Sequence, residues 1–555
     1  MEWAIPSSVV CMLGPGNSTK STILDAIEHT LAPRWYVPFE DCDFYLGDTS
    51  NPIEIIVTVG QVPSKLLSDE KFGLYLRGWS EAAGLRDEPQ GNDEPVLSIR
   101  LYVDESLEPQ WTVINERAPD GRRISSTDRE LLGLTRLGSY VDRHLSWSKG
   151  SSLSHLTSAK SNASSILAEA NRMAQKAVRT GITTEFKEVA KQAQDMANSL
   201  AVQHKSEFVP ALDPKGIDIG SGAISIYEGN VPVRLGGLGD RRLVALGLQL
   251  LCVSKGAILL IDEVEYALEP YRIRHLLQKL QQLTGDSSSS AGQVIMTSHN
   301  HTVVVELASE KLCVVRSKDG TTTVIPVGKA LQSIVRSVPE SVLSRKILVC
   351  EGKTEYGLCR SLDNFWATEE HKRPFAFFSV TIVEGGGHSA PQRARELVSL
   401  GYDVCLFIDS DKIDELQTDI QTLSQNGVEV IYWEGKVAIE ERIALDLPWE
   451  AVRQIVDLAV KLKDEQSVFD TICTKLKSNR NSIGTDIDEW KKQGYSENTI
   501  RKAIGESAKE GKWFKRVDYG EQLGKIVTSQ LNKMPENDLK KKIQALSKWV
   551  YGKHS

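Results

Sequence analysis

The feature that most constrains this chain is a set of short apolar runs that stop abruptly at a chemically loaded residue. Val9-Val10-Cys11-Met12-Leu13 stops at Gly14, Ala257-Ile258-Leu259-Leu260-Ile261 at Asp262, and Val294-Ile295-Met296 at Thr297-Ser298-His299. Further on, Ile347-Leu348-Val349-Cys350 stops at Glu351 and Cys405-Leu406-Phe407-Ile408 at Asp409. Runs without polar alternation are strands buried on both faces, as in parallel sheets covered by helices. Each ends in a glycine loop, a hydroxyl or a carboxylate, so the chain reads as α/β with its chemistry at strand ends.

The remaining sequence bounds the class of protein. A chain of 555 residues is long enough for roughly three or four domains. Its 41% hydrophobic and 25% charged residues are ordinary for a globular protein and exclude wholesale disorder, collagen or a small disulfide scaffold. No apolar run reaches the length of a membrane span, and Met1-Glu2-Trp3 opens without a basic-then-apolar leader. The eight cysteines form no Cys-x-x-Cys, and several lie inside strand-like runs. They read as buried reduced thiols of a cytoplasmic protein. The net charge is −8, yet the residues from Lys475 onward hold 18 Lys and Arg against 10 Asp and Glu. A basic tail on an acidic body points mildly to phosphate-bearing partners, although a lysine-rich solvated helix face gives the same count.

Strands are expected at Pro52–Val59, Leu97–Val103 and Trp111–Ile114, the last two as a meander. From about Ser152 to Lys205 the sequence turns helical and proline-free, with a break at Gly181. Phe186, Val189, Ala193, Met196 and Leu200 draw one apolar stripe, which fits an ordinary helical hairpin or a dimerisation insert equally well. Sheet-like sequence resumes near Ile217, a helix is expected over Tyr271–Leu283, and Ser287–Ser290 reads as a loop. After Pro339, strands are expected at Lys346–Cys350, Ala376–Val383, Asp403–Ile408 and Val428–Trp433, followed by about a hundred helical residues.

The first constellation fits a nucleotide. Gly14-Pro15-Gly16-Asn17-Ser18-Thr19-Lys20-Ser21-Thr22 lies between a buried strand and a helix. Backbone amides of such a loop cradle phosphates, the lysine reaches the terminal phosphates, and Ser21 holds Mg²⁺. The usual pattern has glycine where Thr19 stands. Asp262 is placed for Mg²⁺, Glu263 for the attacking water, and His299 to sense the γ-phosphate. Leu235-Gly236-Gly237-Leu238-Gly239-Asp240-Arg241-Arg242 opens a helix, so Gly237 and Gly239 read as a second phosphate-binding N-terminus. In this order the four features resemble the ABC-type ATPase heads of the SMC, Rad50 and RecF kind. That resemblance implies dimerisation, with the glycine-rich loop of one subunit closing on ATP bound to its partner. Leu-Gly-Gly-Leu-Gly departs from the usual Leu-Ser-Gly-Gly-Gln, and only thirteen residues precede Gly14, so slow turnover is expected.

The second constellation fits phosphodiester cleavage. Glu351 at a strand end and Glu355 four residues on face one another across a helical turn. Asp409 and Asp411, two apart at another strand end, are expected on one side, where they meet the glutamates. Four acids together repel unless divalent cations neutralise them, which is what two-metal phosphoryl chemistry requires. Glu351-Gly352-Lys353-Thr354-Glu355 with Asp409-Ser410-Asp411 resembles the Toprim domain of topoisomerases, primases and nucleases. An ABC-type head fused to Toprim resembles the OLD (overcoming lysogenization defect) nucleases, which are related to the Gabija and retron-associated anti-phage nucleases. The resemblance implies an ABC-type head at 1–150 and 207–340, a helical dimerisation insert at 151–206, a Toprim domain at 341–445 and a helical region at 446–555 completing the nuclease. It also implies a further metal-binding glutamate, Glu440 with Glu441 as its rival, and a late lysine, Lys515, that stabilises the transition state. Gly385-Gly386-Gly387 lies where a Toprim loop lets nucleic acid approach.

The expectation is an ATP- and Mg²⁺-dependent homodimeric nuclease, with Mn²⁺ as an alternative ion, acting on DNA rather than RNA in anti-phage defence. Higher assembly through a partner protein or a non-coding RNA of a defence system is left open by the sequence. The competing readings are a non-cutting ATPase scaffold and a Toprim RNase.

Overall fold

The structure is a computed structural model. It describes residues 1–138, 141–148, 151–157, 163–199, 206–210, 224–253, 256–284, 291–318, 320–478 and 484–552. The chain divides into two compact units, Met1–Lys20 with Ser298–Ser555, and Ser21–Thr297. The expected resumption of sheet at Ile217, the loop Ser287–Ser290 and Leu200 of the apolar stripe fall outside the described residues. No helix among them is long and apolar enough to cross a membrane.

In the unit Ser21–Thr297, the strands Thr135–Leu137, Ala257–Ile261 and Ala291–Thr297 run parallel, with Leu260 opposite both Ile295 and Arg136. Leu259, Leu260 and Ile261 are fully buried, as an unbroken apolar run requires. Beside them stands an antiparallel meander centred on Glu94–Val103, which pairs with Ile53–Val59 on one side and Gln110–Ile114 on the other. The region expected to be helical forms Ser152–Leu156, Ala163–Gly181 and Thr184–Ser199, broken at Gly181. Phe186, Val189 and Met196 of its stripe stand more than 60% exposed.

In the other unit, Val9–Leu13 runs parallel to Leu312–Lys318, which turns back on Thr321–Pro326. A separate all-parallel sheet has the order Val380–Glu384, Lys346–Cys350, Asp403–Ile408, Glu429–Tyr432. The strand expected over Ala376–Val383 is shorter. Phe375–Phe378 coil into a 3₁₀ turn that ends on a left-handed Ser379, and extended backbone starts only at Val380. Leu348, Phe407 and Trp433 share one continuous core with Ile504, Trp513, Phe514 and Leu523 of the late helices. Those helices therefore bury their apolar faces in the same core as the sheet.

Two of these helix contacts are unusually close and fix the site. A Cβ on Gly520 would lie 2.9 Å from the carbonyl oxygens of Lys353 and Thr354, and one on Gly524 2.6 Å from Ser361. Glycines four apart thus seat the helix Val517–Gln530 directly on Lys353–Thr368. Gly505 does the same for Glu497–Glu510 against Ile439–Asp446, where an added Cβ would meet the Glu441 Cα at 2.6 Å.

Candidate functional site

The glycine loop after Val9–Leu13 has the backbone its sequence demands. Gly14 has φ +155° and would place a Cβ 2.7 Å from the Val315 carbonyl, so no side chain fits there. Thr19, standing where glycine is usual, has φ +67°, the left-handed conformation that glycine adopts freely. Its hydroxyl donates to the Ser18 carbonyl at 2.6 Å and lies 3.0 Å from the Thr322 hydroxyl, contacts that offset the strain. Asn17 is also left-handed, while Gly16 has open space around it. Lys20 is buried and folds back onto the loop, donating to the carbonyls of Gly14 (3.1 Å) and Pro15 (2.9 Å) and to the Ser18 hydroxyl (3.0 Å). His299 is exposed, one residue past the buried Ser298.

In the unit Ser21–Thr297, Ser21 and Thr22 open their helix exposed, and the Ser21 hydroxyl donates to Asp262 Oδ1 at 3.2 Å. Thr297 donates to the same oxygen at 2.6 Å and accepts from the Glu263 backbone N–H at 2.8 Å. Glu263 is exposed with φ +45°. Gly237 caps the helix Leu238–Leu251, and Gly239 packs so closely that a Cβ would meet the Ala267 carbonyl at 2.4 Å. The same helix carries Arg242, which is buried and donates to the carbonyls of Asp262, Glu263 and Tyr266 at 2.7–3.0 Å. Arg242 therefore ties the glycine-rich helix start to the strand-end carboxylates.

Arg136 was not singled out by sequence. Its guanidinium donates to Asp25, to Glu28 at 2.8 Å and to Asp262 Oδ2 at 3.1 Å. Burial works against its charge, but the Asp25 and Glu28 carboxylates outweigh it and hold the group above the usual arginine range. These residues, with His29 and Arg34, line a cavity of about 330 Å³. Arg136 sits on a strand of only three residues, within no recognisable motif.

The acids named at the second constellation come together, with one exception. Glu351 Oε2 accepts from the Asp409 backbone N–H at 2.8 Å. Asp409 is buried, and its Oδ1 accepts from the Ile439 N–H at 2.8 Å and the Trp433 indole at 3.2 Å. Glu355 and Glu440 are almost wholly inaccessible. Glu355 Oε2 accepts from the Gly352 N–H at 2.9 Å, while Oε1 is buried with no partner. Glu440 Oε1 takes a hydrogen bond from Thr354 at 3.2 Å and the Lys515 ammonium at 3.4 Å, and its Oε2 is likewise buried and orphaned.

The electrostatics follow from that crowding. Burial, and then the neighbouring Glu440 and Glu351 working against Lys515, pushes the Glu355 carboxyl up to about 7. Asp409 is raised well above the carboxylate range by burial and by Glu355, Glu440 and Glu351. Burial opposes the charge of Lys515, but Glu440, Glu355 and Asp409 hold it above the lysine range. Two carboxylates 4 Å apart repel by about 4 kcal/mol at an effective dielectric of about 20, and one ammonium cannot cancel several such terms. Two orphaned, buried carboxylate oxygens beside raised carboxyls are what a divalent cation would satisfy, so the residues fit such an ion. Among the described residues no three acidic, histidine or cysteine side chains stand in a finished coordination shell. Glu351 and Glu355 have instead turned part of their carboxylates to backbone donors.

Asp411 is the exception. The strand ends at Ile408, so the alternation expected for residues two apart does not reach it. It points to Lys509, at 2.9 Å, and that ammonium also contacts Glu441 at 3.3 Å. Glu441 in turn caps its helix by accepting from the Ala438 N–H at 2.7 Å. Glu440 thus joins the buried acids, and Glu441 does not. Gly386 and Gly387 are both left-handed, and Gly385 abuts Ala390 and the Cys350 carbonyl, so the glycine run is a specified turn next to Glu351.

No curated protein matches the chain. A solved structure that is similar is the C-terminal region of the Xanthomonas campestris pv. campestris OLD protein, at 13% identity and a TM-score of 0.18, covering 34% of this chain and 95% of that one. A family model described as "AAA domain, putative AbiEii toxin, Type IV TA system" matches residues 9–306, from the first strand through the glycine loop, Asp262 and His299. Over that span, more than half of its length, the chain belongs to this family of AAA-type ATPase domains.

Proposed function

We propose that the chain is an OLD-type nuclease: an ATP-binding head joined to a Toprim-like, metal-dependent phosphodiesterase. The observation that carries the reading is the pair of buried, partnerless oxygens on Glu355 and Glu440 beside Asp409, Glu351 and Lys515. A cluster of that kind is costly to keep, and a site retired from chemistry would gain by losing an acid.

In this reading Lys20, Ser21 and Thr22, with the amides of Gly14, Gly16, Asn17, Ser18 and Thr19, take the ATP phosphates. Asp262 and Ser21 hold Mg²⁺, Glu263 orients the attacking water, His299 reports the γ-phosphate, and Gly237 and Gly239 present the second phosphate-binding helix start. Glu351, Glu355, Asp409, Asp411 and Glu440 hold Mg²⁺ or Mn²⁺ in the second site. When bound there, such ions supply an activated water or sugar oxygen and charge neutralisation at the leaving oxygen. Lys515, already fixed above its ordinary range, places a permanent positive charge against the phosphate as negative charge grows on it. The basic stretch from Lys475 holds the nucleic-acid backbone. The exposed Phe186, Val189 and Met196 stripe mates with a second copy. The family description, a toxin of a toxin–antitoxin system, suits a defence role.

Purified protein is incubated with plasmid DNA, single-stranded DNA and transfer RNA in Mg²⁺ or Mn²⁺, with and without ATP. Cutting that disappears in Glu351→Ala supports the proposal, with DNA the expected substrate and cutting of transfer RNA alone marking an RNase. If no nucleic acid is cut under any of these conditions, a non-cutting ATPase scaffold takes its place.

A further inference from the structure

Lys509 lies in the last turn of the helix Glu497–Glu510, six residues before Lys515. Gly505, one turn earlier, lets that helix lie against the backbone of Glu441, so the lysine is delivered to one place. It bridges two carboxylates on different elements, Asp411 past the Asp403–Ile408 strand and Glu441 on the Ile439–Asp446 helix. Each belongs to a segment that also supplies a buried acid: Asp409 is two residues from Asp411, and Glu440 adjoins Glu441. A cation joining these two carboxylates stands where a second divalent ion would find two of its oxygen ligands. Lys509 also remains 38% exposed, so its stem can swing out without opening the core.

We infer that Lys509 is a resident ammonium standing in for the second cation. It rests on the metal-dependent reading above. The resting protein takes up one divalent ion, at the buried acids Glu351, Glu355, Asp409 and Glu440. A second ion binds at Asp411 only when Lys509 leaves, and the phosphate backbone of nucleic acid is the chemistry that draws it away. Lys509 is thus a positioning residue that makes full metal loading depend on substrate.

The test counts ions rather than products. Mn²⁺ binding to the full-length chain is followed by electron paramagnetic resonance, without nucleic acid, for wild type, Lys509→Met, Lys509→Arg and the double variant Lys509→Met/Asp411→Asn. Wild type and Lys509→Arg are expected to bind one ion tightly. Lys509→Met should gain a second, with affinity improved roughly tenfold or more, the scale on which groups around a metal site tune it. The double variant should lose that gain, and Lys509→Arg, which keeps the charge and the packing, controls for folding. Two equal ions in wild type, untouched by Lys509→Met, would overturn the inference and leave the nuclease reading standing. A second ion that persists in the double variant overturns it as well. If no variant binds Mn²⁺, the metal-dependent reading itself fails and takes this one with it.

Discussion

Two carboxylates assigned to metals, Asp262 and Asp411, each face a basic side chain, and the two contacts differ in kind. Arg136 is 18% exposed and divides its guanidinium among Asp25, Glu28 and Asp262. A planar fork serving three acceptors from a strand is fixed in place, and removing it leaves one oxygen of the 9% exposed Glu28 without its partner, the other staying with Arg34 at 2.6 Å. Lys509 is a point charge on a flexible stem, twice as exposed, serving two acceptors from a helix end. The same pairing of charge is therefore architecture in one region and a displaceable plug in the other. What separates them is burial and the number of groups left orphaned when the cation goes.

The largest effects test whether the two sites are separate. Glu351→Ala should lower cleavage by more than about 100-fold while leaving ATP hydrolysis near wild type. Lys20→Ala should do the converse to nucleotide affinity, read by calorimetry, because no neutral neighbour replaces its charge. Loss of both activities in either variant would mean that one site is built on the other.

Next comes the contrast itself. Arg136→Ala should cost about 2–3 kcal/mol of unfolding free energy, since it leaves partly buried carboxylates uncompensated. Lys509→Met should change stability by less than about 1 kcal/mol, as for a half-exposed ion pair. Urea denaturation of both variants, followed by near-ultraviolet dichroism, compares them directly. Equal losses would erase the distinction between fixed and displaceable cation. A steric test sharpens it: Gly520→Ala should cost about 1–3 kcal/mol, because its Cβ meets two carbonyl oxygens at 2.9 Å. It should also weaken Mn²⁺ binding, as the helix it pushes against, Lys353–Thr368, carries Glu355.

How much of this was legible depended on distance along the chain. The strand-end acids could be read because an unbroken apolar run and its polar stop are neighbours. Fixing Glu351 and Asp409 required only that the runs pair, and the register places Cys350 opposite Phe407. Lys509 and Arg136 carry no such mark, since their partners lie between 68 and 126 residues away and only the folded chain joins them. Gly520 and Gly524 carry no mark either, since a glycine inside a helix costs stability on its own and only the partner helix against it gives it a use. Thr19 looked like a defect in the glycine loop, and its left-handed φ shows a threonine held in a glycine's conformation. Asp411 was misplaced because alternation was carried past the end of a strand.

The last test uses the raised acids. The Glu355 carboxyl, ordinarily near 4.5, is pushed up to about 7 by burial and by Glu440 and Glu351. Between those values the native, metal-free protein holds a proton that the unfolded chain has released. Stability from this group is therefore full below about 4.5 and falls as pH rises through 7, the reverse of a salt-bridged carboxylate. A divalent cation needs the carboxylate form, so it must expel that proton below pH 7 and binds without that cost above it. At about pH 5.5 the expulsion weakens affinity by up to about 30-fold, or about 2 kcal/mol, relative to about pH 8. Mn²⁺ should accordingly raise the melting temperature more at pH 8 than at pH 5.5. The difference should shrink in Glu355→Gln, which removes one of the two raised carboxyls and leaves Asp409. A shift equal at both pH values in wild type would show that the ion does not meet Glu355.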